Sequence, residues 1–149
     1  MASRLPFESR SEFYGLRIET VVVKGAEICI DFGQGLTLDL VNIYRGSPDE
    51  EVYFTCDDEL TKIVDGVLRR IDVKLCLQTD IKHPTLGQAV DELMFLEIGT
   101  DECFISVCAH CTHNGCYGPI EIGLKVITAT DRAEAERLYS KIISSSARR

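Results

Sequence analysis

The chain is poor in positive charge and in long apolar runs, and both shortages exclude something. Lys and Arg number 16 against 24 Asp and Glu, a formal charge of −8. Such a surface repels phosphate backbones and anionic lipid, so neither nucleic acid nor membrane is the expected partner. No apolar run reaches transmembrane length. The first ten residues, Met1 to Arg10, lack the apolar stretch of a secretory signal and read as a flexible polar lead. Repeats, low-complexity tracts and Pro- or Gly-rich linkers are missing as well, so residues 11–149 read as one globular domain.

What is present suits one hydrophobic core. The 149 residues are 45% hydrophobic and 27% charged, ordinary values for a globular chain. Acid gathers in Asp49, Glu50, Glu51, Asp57, Asp58 and Glu59, with no Lys or Arg between the first and last. The run reads as a solvated face and also as a docking surface for a basic protein. Seven cysteines, an odd number without framework spacing, point to free thiols in a reducing cytoplasm.

Period-two patterning dominates. A β-branched stretch over 16–23, then Ile28, Ile30 and Phe32, then Leu36, Leu38 and Leu40, predict an N-terminal antiparallel meander, followed by a strand at 52–56. Leu60, Ile63, Val64, Val67, Leu68 and Ile71 fall at helical spacing behind Asp57 and predict an amphipathic helix over 57–71. Strands are expected at 73–77, 94–98, 103–109 and 120–128, a short helix at 85–93, and a C-terminal helix near 131–144. The fold class that follows is α+β: a largely antiparallel sheet of about seven or eight strands with two to three helices.

Cys108-Ala-His-Cys-Thr-His-Asn-Gly-Cys116 is the one unusual segment. Zinc takes four tetrahedral thiolate and imidazole ligands, and Cys108, Cys111, His113 and Cys116 offer a Cys3His set. Asn114-Gly115 is a tight-turn signal that would put this cluster at a hairpin tip. Cys103 is a poorer ligand, because an odd separation along a strand sends it and Cys108 to opposite faces. A cluster holding no ion is the competing reading, since Cys is a common small buried residue.

Other local patterns carry less. Cys108-Ala-His-Cys111 resembles the C-P-H-C redox motif of thioredoxin-like oxidases, but the Asn- and Gly-containing segment after it cannot continue as the required helix. His83-Pro-Thr85 and His110-Cys-Thr112 resemble the paired motif of 2H phosphoesterases, which implies acid and base histidines, over these six residues alone. Asp31 and Asp39 flank one turn as a carboxylate pair with nothing nearby to desolvate either. The functional expectation is a small acidic protein-binding or adaptor module without catalytic activity, open to homo-oligomerisation through an edge strand. The alternative is a small zinc metalloprotein or thiol-dependent enzyme centred on Cys108–Cys116.

Overall fold

The computed structural model describes residues 2–46, 50–83, 87–114, 120–131, 133 and 137. Among them are nine strands: β1 (Ser3–Pro6), β2 (Thr20–Lys24), β3 (Glu27–Asp31), β4 (Thr37–Asn42), β5 (Glu51–Thr55), β6 (Arg70–His83), β7 (Gly87–Gly99), β8 (Phe104–His113) and β9 (Ile122–Ile127). They form two antiparallel sheets, ordered β1-β9-β4-β3-β2 and β5-β8-β7-β6. Ser3–Pro6, within the polar lead, pairs with β9.

Alternation explains why these segments pair and which face they bury. Ile28 and Ile30 of β3, Leu38 and Leu40 of β4, and Leu124 of β9 turn inward from the five-stranded sheet. Leu96 and Ile98 of β7 and Ile105, Val107 and Ala109 of β8 meet them from the other, all in one core. The sheets are also tied along one edge: Phe54 N donates to Gly25 O, and the buried Asn42 Nδ2 donates to Tyr53 O (3.1 Å) and His110 O (2.9 Å). These bonds tie β5 to the other sheet, while among the described residues β6 is the edge strand with no further strand beside it.

The α+β expectation is overturned, because the structure is largely β, with one helix and two 3-10 segments among the described residues rather than two to three helices. Over 57–71 there is a 3-10 turn, Leu60–Ile63, then a turn at 64–66, an isolated bridge Arg17↔Val67 and the start of β6 at Arg70. Ile63, Leu68 and Ile71 are completely buried there and Leu60, Val64 and Val67 half-buried, yet their backbone bonds go elsewhere. Asp65 N donates to Ile18 O, Ile18 N to Gly66 O, and Leu68 N to Leu16 O. Asp65 takes a left-handed φ of 68°. Gly66 packs so tightly that an added Cβ would lie 2.6 Å from Thr100 Cγ2. Pairing with 16–18, helped by the β-branched Thr61, Ile63, Val64, Val67 and Ile71, therefore wins over helical spacing.

The short helix expected over 85–93 is overturned by β7, which pairs with β6 from Gly87 to Gly99. The proposed start of that helix, 84–86, lies outside the described residues. A helix does begin at Ala129. Thr128 Oγ1 donates to Asp131 Oδ2 (2.9 Å) and accepts from Asp131 N (3.3 Å), a reciprocal cap. Ala133 and Arg137 are helical, and the rest of 131–144 lies outside the described residues.

Candidate functional site

Cys108, His110, Cys111 and His113 all stand in the ladder of β8, between β5 and β7. Period-two alternation sends Cys108 and His110 to the outer face of this sheet and Cys111 and His113 inward. Of the expected zinc ligands, then, Cys111 and His113 share a face and Cys108 does not. Cys116 lies outside the described residues. His110 stacks on Tyr53 (ring centroids 4.5 Å apart) and its Nε2 lies 2.8 Å from Thr55 Oγ1. Burial holds its pKa below the usual value. Burial pushes the Cys108 thiol up to about 11, helped by Asp91, and raises Cys111 against the opposing pull of Arg45. Both stay protonated at neutral pH, the opposite of an activated nucleophile.

The inward pair joins a polar cluster inside the sandwich. Cys111 and His113 are each 1% exposed, beside Glu50 (5%) and Glu92 (8%). Arg45 Nη2 donates to Cys111 Sγ at 3.2 Å, and Arg45 Nε lies 3.5 Å from Glu50 Oε1. Cys111 Sγ lies 3.8 Å from Glu50 Oε1, and His113 Nε2 lies 3.3 Å from Glu92 Oε1. Among the described residues Glu50 Oε2 and Glu92 Oε2 have no hydrogen-bond partner. Leaving such an oxygen buried costs on the order of 1–3 kcal/mol, more when it is charged.

A second cluster lies on the outer face of the five-stranded sheet. Ligand atoms of Glu27, Cys29 and Asp39 fall within 4.8 Å of one another, a set able to hold a metal ion. The cross-strand pairs Cys29↔Asp39 and Asp39↔Lys125 assemble it. Lys125 Nζ already sits there, 2.9 Å from Glu27 Oε1 and 3.6 Å from Asp39 Oδ2. Burial and the Asp39 carboxylate push the Cys29 thiol up to about 11. Asp31, read as partner to Asp39 in a catalytic pair, instead caps its turn by accepting from Gly33 N (2.8 Å).

The acidic run divides. Asp49 lies outside the described residues and Glu50 points into the interior. Glu51, Asp57 and Glu59 are exposed, while Asp58 accepts from Ser106 N at 2.7 Å. Strand β5 separates Glu51 from Asp57. At the opposite edge, Tyr14 and Arg10 cap Ile71 of β6 through its N–H and carbonyl. From Val73 to Lys82 no backbone hydrogen bond among the described residues reaches that edge. Val73, Leu75 and Leu77 are 42–50% exposed along it.

Glu92, Arg45, Glu27, Cys29 and Lys125 escaped the sequence reading. Glu92 had a legible signal, since it shares the phase of Met94, Leu96 and Ile98 and so puts an acid on the core side of β7. No helix among the described residues is long and apolar enough to cross a membrane. No protein-family model, no curated protein and no solved structure matches the chain.

Proposed function

We propose that this chain is a non-catalytic protein-binding module that receives an extended, basic segment of a partner along the free edge of β6. The open, half-apolar run from Val73 to Lys82 carries this reading. Strand addition supplies affinity through main-chain hydrogen bonds and specificity through alternate side chains. Val73, Leu75 and Leu77 offer apolar contact there, and the net charge of −8 favours approach of a basic partner. A second copy of this chain is the competing occupant.

A thiol enzyme is less favoured, because burial raises every thiol whose shift is resolved: Cys29, Cys56, Cys108 and Cys111. The same reading keeps the chain in a reducing cytoplasm, supported by six free cysteines among the described residues. For Glu27, Cys29 and Asp39 the ion that suits one thiolate and two carboxylates is zinc, in a structural role, and it would have to displace Lys125.

Extended peptides that alternate apolar residues with Lys or Arg are the probe. Binding is expected to slow amide exchange along Val73–Lys82 and to be lost in Leu75→Asp/Leu77→Asp, which leaves the fold intact. Protection elsewhere, or binding that survives the double change, overturns the edge reading. A concentration-dependent dimer by light scattering, lost in the same variant, assigns the edge to a second copy instead.

A further inference from the structure

Adjacent strands bring four metal-ligating side chains to one place in the interior. Glu92 on β7 lies directly opposite Cys111 on β8. His113 follows two residues later on the same face. Glu50 directly precedes the Glu51↔Thr112 pair, which sets it across from His113. Opposed residues of an antiparallel ladder have Cβ atoms about 4.5–5.5 Å apart, which sets Glu92 beside Cys111 and Glu50 beside His113, with β8 joining the two pairs. Two contacts are already close, Cys111 Sγ to Glu50 Oε1 at 3.8 Å and His113 Nε2 to Glu92 Oε1 at 3.3 Å.

An independent observation points to a ligand. Glu50 and Glu92 are each more than nine-tenths buried, and each keeps one carboxylate oxygen with no hydrogen-bond partner among the described residues. We infer that the cluster is a structural zinc site whose four ligands are Cys111 Sγ, His113 Nε2 and one oxygen each of Glu50 and Glu92.

The donor set suits the ion. Thiolate, imidazole and carboxylate are the zinc ligands, and four of them close a tetrahedral site with no open position for substrate. On binding, Cys111 gives up its thiol proton to solvent. The thiolate and the two carboxylates then balance the charges of Zn2+ and Arg45. Arg45, which already donates to Cys111 Sγ and lies against Glu50, becomes the outer donor that orients two ligands. The set takes Cys111 and His113 from the Cys/His-rich segment and leaves Cys108 out, because Cys108 faces away. It is also distinct from Glu27, Cys29 and Asp39, where Lys125 supplies the cation.

The full chain, purified without chelator, stripped of metal and titrated with Co2+, tests this. One equivalent is expected to give a thiolate-to-cobalt charge-transfer band with tetrahedral ligand-field bands, and Zn2+ should abolish both. Cys111→Ser should remove the charge-transfer band. Glu92→Gln should weaken binding by more than about tenfold, the least expected even of an outer-shell change. Cys29→Ser, Cys108→Ser and Cys116→Ser should keep the band. If buried variants fail to fold, Zn2+ added to the unaltered protein should slow alkylation of Cys111 and not of Cys108, read by mass spectrometry. No stoichiometric band, a band that survives Cys111→Ser, one lost in Cys29→Ser, Cys108→Ser or Cys116→Ser, or no slowing at Cys111 overturns the assignment.

Discussion

Two polar clusters sit in one sandwich and settle their charge differently. On the outer face of the five-stranded sheet, Glu27 and Asp39 share the ammonium of Lys125. The cation comes from the cross-strand position and reaches both acids, although Asp39 Oδ1 has no hydrogen-bond partner among the described residues. Inside, Arg45 and His113 lie against Glu50 and Glu92, yet one oxygen of each carboxylate stays without a donor. Both clusters contain a thiol between carboxylates. The difference is that Lys125 bridges both acids of the outer cluster, whereas the interior cluster meets its two acids with separate groups, Arg45 and His113.

Breaking the interior cluster should have the largest effect. His113→Leu in metal-free protein strips the group facing a buried carboxylate and is expected to cost about 3–5 kcal/mol. Adding Glu92→Met to it should restore most of that loss, because an apolar pair of similar volume is often neutral or better. Urea titration of both variants checks this, and a double variant no more stable than the single would mean that Glu92 does not depend on His113.

Lys125→Met sharpens the contrast from the other side. Its stem is mostly covered while its charge meets two carboxylates, and losing it should cost about 1–3 kcal/mol. The same change should open Glu27, Cys29 and Asp39 to Zn2+, seen as a second equivalent of bound metal, lost again on Cys29→Ser, where the unaltered protein takes up one.

The smallest effect belongs to a clamp that faces solvent. Glu97 lies 2.8 Å from Arg70 and 3.1 Å from Lys74, and the Arg70 hydrogen bond holds its pKa below the usual carboxylate value. A depressed folded pKa gives stability above the unfolded pKa that is lost as pH falls through the folded one. The stability gap between wild type and Glu97→Gln should therefore be present at neutral pH and close on acidification. A gap that persists in acid would assign the effect to packing.

Legibility followed the same division between local pattern and distant partner. Ile28 with Ile30 and Leu38 with Leu40 alternate plainly, and these strands could be read because period-two burial is a property of the segment alone. The stretch from Leu60 to Ile71 satisfied a helical spacing equally well. What decides it is a bond set to Leu16 and Ile18, more than 40 residues away in sequence, and a left-handed Asp65. The Cys/His segment was misplaced in a related way, since Asn114-Gly115 drew it toward a hairpin tip while β8 runs to His113. Once β8 is a strand, its alternation separates Cys108 from Cys111. Glu50 was visible only as one acid of a run, because its inward direction depends on the β5 register.

A crystal of zinc-treated full-length protein, measured on both sides of the zinc absorption edge, compares the two clusters in one experiment. The account predicts an anomalous peak bounded by Cys111, His113, Glu50 and Glu92, with Lys125 still seated between Glu27 and Asp39. A peak at Glu27, Cys29 and Asp39, a peak at Cys108, or no interior peak at all would contradict it.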